Sequence, residues 1–212
     1  MEILKPSPQN VIKMAKAIEK GAIALLPSDV GYGLVTNSFS ESSLKRMREI
    51  INAPPNYPVQ VFVYTDDIEK YANVSSFTKK ILKELLPAAM VLILQKNPNV
   101  LDFLAPGLST IGISWHEEPT LAAIYHAVKI PLAVTRAAMV GEPLHRDFES
   151  AREFGEGKAD IAMDCGSSKY LEGSGTLVDL SSSDIKILRE GVVPAAKVNE
   201  IINRIRKDEE RN

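Results

Sequence analysis

The run Ala22-Ile-Ala-Leu-Leu26 constrains this chain more than any other stretch. It is short, wholly apolar, and bounded by Gly21 and Pro27. That combination predicts a strand buried on both faces, since a half-exposed strand would alternate and a buried helix would run longer. Pro27-Ser-Asp29 then reads as a polar turn, and the chain continues through Gly31-Tyr-Gly33. Two glycines around Tyr32 fit either a tight hairpin or a backbone that something else approaches closely. The residues alone leave both readings open.

Helical spacing recurs either side of this strand. Val11, Met14, Ala15 and Ile18 define one face of a helix over residues 10–20. Ser38 and Glu41 form a capping-box pattern ahead of a second helix, with Leu44, Met47 and Ile51 turned inward. Lys45, Arg46 and Arg48 then fall on its expected solvent face. The prolines of 52–58 stop it. Val59, Val61 and Val63 alternate as a strand does. Residues 66–72 and 76–86 read as helices, the second ended by Pro87.

Met90 to Leu94 is continuous and apolar, as a central strand would be. Residues 110–115 and 132–135 add strands around a helix that opens at Pro119 and buries Leu121, Ile124 and Val128. A helix over 148–154 and strands over 159–164, 176–180 and 185–188 follow. Val198, Ile201, Ile202 and Ile205 mark a last amphipathic helix, and the charged residues 206–212 are expected to fray. Strands and helices mix without strict alternation, which predicts one α/β domain with a mixed sheet.

Composition narrows the function. The net charge is −2 over 212 residues, so nucleic-acid binding would need a local basic patch. A single cysteine, Cys165, excludes an internal disulfide and a multi-cysteine metal site, and is expected to be a small buried hydrophobe. His116, His126 and His145 lack zinc-ligand spacing. His116 is expected on the surface, and His145-Arg146 in an exposed loop. No segment has the length of a signal core or a membrane span, so a cytoplasmic protein without membrane contact is expected.

Pro27-Ser-Asp-Val-Gly-Tyr-Gly-Leu34 resembles the Pro-Thr-Asp-Thr-x-Tyr-Gly-Leu signature of the YrdC-like family, which includes YrdC, YciO and the threonylcarbamoyl-AMP synthases. Thr110-Ile-Gly-Ile113, Gly141-Glu-Pro143, Asp164-x-Gly166, Gly175-Thr-Leu-Val-Asp179 and Ile187-Leu-Arg-Glu-Gly191 resemble its later motifs, in order and at family spacing. The resemblance implies a single YrdC-like domain over 10–206, between an arm of residues 1–9 and a charged end of 207–212. Its expected form is a twisted mixed sheet flanked by helices around a large concave cavity. The implied activity joins ATP, threonine and bicarbonate into threonylcarbamoyl-adenylate for tRNA modification, with magnesium on the nucleotide. Double-stranded RNA or tRNA is the macromolecular partner the resemblance implies.

The chain departs from this pattern where phosphate is held. The family's Lys-x-Arg aligns with Ile51 and Ala53, its strand arginine with Ser114, and its Ser-x-Asn with Arg136 and Ala138. Loss of those cations predicts a degenerate or altered site that still binds a nucleotide, amino acid or other small ligand. The alternatives are an active synthase with relocated cations, Arg46 or Arg48 among them, or a non-catalytic RNA- or protein-binding module. No cofactor follows from the residues alone; ATP and Mg2+ follow if the family activity is retained. The candidate ligand-binding residues are Ser28, Tyr32, Arg136, Thr176 and Arg189. Arg136 either binds an anion or fills the cavity and pairs with Asp29 or another buried carboxylate.

Overall fold

The structure, a computed structural model, describes residues 1–211 apart from Lys129 and Leu171, and of Thr65 only the backbone. Asn212, the last of the expected charged end, lies outside the described residues. One eleven-stranded mixed sheet carries the fold. Its strands are β1 (Glu2–Leu4), β2 (Ala24–Ser28), β3 (Gly31–Asn37), β4 (Gln60–Phe62), β5 (Ala72–Asn73) and β6 (Met90–Lys96). They continue with β7 (Thr110–Ser114), β8 (Leu132–Arg136), β9 (Ile161–Met163), β10 (Thr176–Asp179) and β11 (Lys186–Arg189). The spatial order is β1-β9-β2-β3-β8-β4-β7-β6-β10-β11, with β5 pairing β6. The stretch expected as an N-terminal arm thus contributes an edge strand, parallel to β9.

Six helices flank the sheet: α1 (Pro8–Glu19), α2 (Glu41–Ile50), α3 (Ser76–Leu85), α4 (Pro119–Ala127), α5 (Phe148–Gly155) and α6 (Ala195–Glu210). The residues expected to fray continue α6 as far as Glu210. Residues 66–72, expected as a short helix, form a 3-10 turn, Thr65–Lys70, and the strand β5. The capping expectation for α2 is corrected by two residues. Its cap is Ser40, whose hydroxyl accepts from the Ser43 N–H, whereas Ser38 is buried and its hydroxyl has no partner.

Strand alternation sorts the apolar residues into two cores. Leu25 and Leu34 join one core with α2, α3, α5 and α6, through Leu44, Met47, Ile81, Leu82, Phe148, Val198 and Ile202. Ala24, Leu26 and Val35 join the other with α1 and α4, through Met14, Ile18, Leu121 and Ile124. Burial on both faces is why β2 reads as continuous apolar sequence. β2 also extends further than expected: Pro27 and Ser28 pair with Tyr32 and Gly31 of β3, so the turn is Asp29-Val30.

β6 is a central strand, paired with β7 on one side and β10 on the other, but only one of its faces enters the core. Met90, Leu92 and Leu94 enter the first core, while Val91 and Ile93 face the other way. The same split holds in β7, where Ile111 and Ile113 are core and Thr110 and Gly112 face out. In β10, Val178 is core and Leu177 faces out. The sheet face that α1 and α4 cover near β2 and β3 is therefore bare over β7, β6 and β10.

Candidate functional site

That bare face is the floor of a cavity of about 330 Å³. Val91, Ile93, Val134 and Leu177 supply much of the floor, and the β2–β3 hairpin, residues 57–60 and the 174–175 segment form the walls. A cleft of this size suits a small molecule.

Tyr32 stands at the hairpin end, 1% exposed and lining the cavity. Its hydroxyl donates to the Gly166 carbonyl at 3.0 Å and accepts from the Cys165 N–H at 3.2 Å. Burial holds the phenol well above the ordinary tyrosine range, so it stays protonated. The two open readings of its flanking glycines are both realised. β2 and β3 form a hairpin, and the group that approaches is the chain's own His145 carbonyl, which accepts from Tyr32 N–H at 2.7 Å. A Cβ on Gly31, whose φ is +155°, would meet that oxygen at 2.8 Å; one on Gly33 would meet Thr135 O at 2.9 Å.

Ser28 also lines the cavity, its hydroxyl donating to Gly31 O at 2.7 Å. Arg189 lines the opposite rim, exposed, with Nε and Nη2 both donating to Gly175 O. Thr176 is placed differently. It is fully buried, donates to Val193 O at 2.7 Å and accepts from Gly191 N–H and Val193 N–H, which uses its hydroxyl as a loop anchor behind the wall. Four of the five candidates therefore share the cavity, and Thr176 does not face it.

Arg136, at the end of β8, lines the cavity and does not pair with Asp29. Its Nη2 donates to Glu142 O at 2.7 Å, and its Nε is buried without a hydrogen-bond partner. The other arginines named above are committed elsewhere. Arg48, expected on the solvent face, is 5% exposed; its Nε donates to Tyr57 O at 2.7 Å and its Nη2 to Phe103 O at 2.6 Å. The inward rotation of α2 at that position exchanges water for three loop carbonyls, Leu104 O being the third at 3.3 Å. Arg46 holds both oxygens of Asp160. Arg146, expected in an exposed loop, is half-buried and donates to the carbonyls of Val30, Tyr170 and Gly173. It ties the hairpin turn to the 170–173 loop.

Ile51, Ser114 and Ala138, aligned above with polar positions of the resembled pattern, are all packed inside the chain. Ile51 is fully buried in the core at the end of α2, and Asn52 follows in the left-handed region at φ 53°. Ser114 is fully buried with an unpartnered hydroxyl, and Ala138 is buried.

His116 overturns the surface expectation: it is 6% exposed, lines the cavity, and packs edge-on against Phe62 at 5.6 Å. A Trp-His-Glu-Glu string looks solvated in sequence, and only the packing of Phe62 over β4 reveals otherwise. Burial pushes its imidazole below the ordinary range, against a smaller opposing pull from the Asp29 charge. The unfolded chain takes up a proton near pH 6.5 that the folded chain refuses. Stability should therefore fall as pH drops below about 6.5, by up to about 1.4 kcal/mol per pH unit. Half-buried Glu118, whose carboxyl is raised by desolvation, has the opposite sign, stabilising at acid pH and losing that contribution as pH rises. The difference between the native chain and His116→Gln isolates the histidine: denaturant midpoints from pH 5 to 8 should slope less in the variant. Half-buried His145 is lowered as well and leaves a shallower slope behind. Identical slopes would place His116 in water.

Cys165 is half-buried, its thiol 3.4 Å from Thr120 Oγ1 and raised by burial, so it is no ready thiolate. Among the described residues no three His, Cys, Asp or Glu side chains gather as a metal site. No described helix is long and apolar enough to cross a membrane.

Fold and cavity together define a single α/β domain with a cavity on the open face of a mixed sheet. The Sua5/YciO/YrdC family model, described as "Telomere recombination", matches residues 16–191, and the chain belongs to that family. A Methanocaldococcus jannaschii protein provisionally named a threonylcarbamoyl-AMP synthase is 30% identical over 186 residues, 87% of each chain. The structure of Pyrococcus abyssi Sua5 complexed with L-threonine superposes with a TM-score of 0.88 at 21% identity, over 95% of this chain and 60% of that one. Escherichia coli YciO superposes with a TM-score of 0.82 at 20% identity, over 93% and 97% of the two chains. At these identities the two structures share the fold with this chain, and the chain spans about three-fifths of the Pyrococcus relative.

Proposed function

We propose that this chain is a relative of the threonylcarbamoyl-AMP synthases whose cavity binds a small ligand without carrying out adenylate chemistry. The observation that carries this reading is the cavity's cation content. Among the described lining residues the only lysines or arginines are Arg136 and Arg189. They stand on β8 and β11, five strand steps apart in the sheet order. At about 4.8 Å per step their backbones are separated by about 24 Å along the sheet.

A triphosphate brings about four negative charges, and its attack by a carbamate needs donors converging on the leaving pyrophosphate. Each charge-assisted bond to phosphate contributes about 1.5–3 kcal/mol. Three family cations are replaced by Ile51, Ala53 and Ser114, and Arg46 and Arg48 are held by protein acceptors away from the cavity. The residues present do not fit a magnesium-bound triphosphate.

Incubated with ATP, bicarbonate and L-threonine, the purified chain should release pyrophosphate at the rate of a protein-free blank, with or without threonine. Threonine-dependent release well above the blank would overturn the reading. That result would favour the second reading, an active synthase using Arg136 and Arg189, whose support is that both line the cavity. The net charge of −2 supplies no overall attraction to RNA.

A further inference from the structure

We propose that the cavity takes a monocarboxylate with an apolar body and no ammonium group, gripped through Arg136. This rests on the reading that the cavity binds without adenylate chemistry. Three features of the lining support it.

The first is the incomplete bonding of Arg136. Arg48 and Arg146 each donate to three carbonyls, and Arg46 holds a carboxylate and a carbonyl. Arg136 donates to Glu142 O, and its Nε is buried without an acceptor. A buried Nε–H left unpaired is costly, and a carboxylate is an acceptor that the half-buried guanidinium can meet with that donor. A modest rotation of the side chain toward the cavity would present that edge to a ligand.

The second is the floor. Val91, Ile93, Val134 and Leu177 project from three strands, β6, β8 and β10, onto the same face, with Gly112 of β7 keeping the surface low between them. A Cβ at Gly112 would meet Val91 at 3.2 Å and Gln60 at 3.4 Å. Such a floor desolvates a hydrocarbon chain or ring and offers a polyphosphate nothing.

The third is the sign of the charge. No aspartate or glutamate is among the described lining residues. Asp29, 2% exposed, is not among them; its Oδ2 accepts from the Glu117 N–H at 3.3 Å and its Oδ1 is buried without a partner. An ammonium entering the cavity would be desolvated with no counter-charge. Histidine adds no cation to Arg136 and Arg189, because burial lowers the His116 imidazole below its ordinary range.

Isothermal titration of the full chain distinguishes these elements. The probes are 3-phenylpropionate, its neutral amide, L-phenylalanine and phenyl phosphate. The carboxylate should bind about tenfold or more tighter than the amide, and tighter than L-phenylalanine, which adds an ammonium to the same body. Arg136→Gln should weaken 3-phenylpropionate about tenfold. Leu177→Gln, with Arg136 intact, should weaken it through the floor, and it tests the proposal even if the arginine variant folds poorly.

Equal binding of the amide or of L-phenylalanine overturns the proposal. So does tighter binding of phenyl phosphate, an unchanged affinity in Arg136→Gln with native circular dichroism, or no binding of 3-phenylpropionate. Binding of AMP without pyrophosphate release would defeat this proposal alone. Threonine-dependent pyrophosphate release would defeat the underlying reading with it.

Discussion

Replacing Arg48 by alanine should destabilise the chain by about 3–5 kcal/mol. The guanidinium is 5% exposed, and burial lowers its ordinary pKa. It stays inside because the carbonyls of Tyr57, Phe103 and Leu104 accept from it. Truncation leaves those oxygens without a donor and opens a hole beside Met47 and Ile51. Against a typical total of about 5–15 kcal/mol, that is a large fraction of native stability. Arg46→Ala is the control two residues earlier, where the ion pair with Asp160 is partly exposed and worth under about 1 kcal/mol. Urea midpoints of the two variants decide: similar small losses would show that Arg48 is solvated. Because Tyr57, Pro58 and Val59 wall the cavity, Arg48→Ala should also weaken any ligand held there.

Gly191→Ala should cost about 3 kcal/mol or more and detach the wall around Arg189. A Cβ there would sit 2.0 Å from Ser174 O, 2.7 Å from the Gly175 carbonyl carbon and 2.8 Å from Thr176 N. All three are backbone atoms, so no rotamer change relieves the overlap. The same glycine donates its N–H to Thr176 Oγ1 at 3.1 Å, closing the loop that Thr176 anchors. Gly157→Ala provides the comparison. It has open space around it but a φ of +71°, and conformational strain alone should cost about 1–2 kcal/mol. A thermal midpoint for Gly191→Ala no lower than that of Gly157→Ala would show that the strands separate easily.

The motif Ile187-Leu-Arg-Glu-Gly191 shows how much of the site was legible beforehand. Its position and its arginine were readable, and Arg189 does line the cavity. The reason for its glycine was not, because the oxygen it must avoid belongs to Ser174, 17 residues earlier. Thr176 fails for a related reason. Its hydroxyl was free to face either side until the return of residues 191–193 supplied two donors and an acceptor. Arg48 and His116 were both misplaced toward solvent. In each case local polarity was outweighed by a distant element, the 103–104 turn for one and Phe62 for the other.

Elements whose cause is local are legible in the residues themselves. The helical faces of α1, α2 and α6, the short apolar strands, the hairpin glycines and the missing cations at residues 51, 53 and 114 can all be read without coordinates. Periodicity, backbone freedom and side-chain charge act within a few residues and leave their mark there. Tertiary structure alone decided which sheet face lacks a helix, and hence where the cavity lies. It decided which arginines are locked onto carbonyls, and that Arg136 keeps an unpaired Nε–H while lining a cavity with an apolar floor. Those outcomes depend on groups far apart in the chain that meet only when the strands assemble, and no local pattern encodes the meeting.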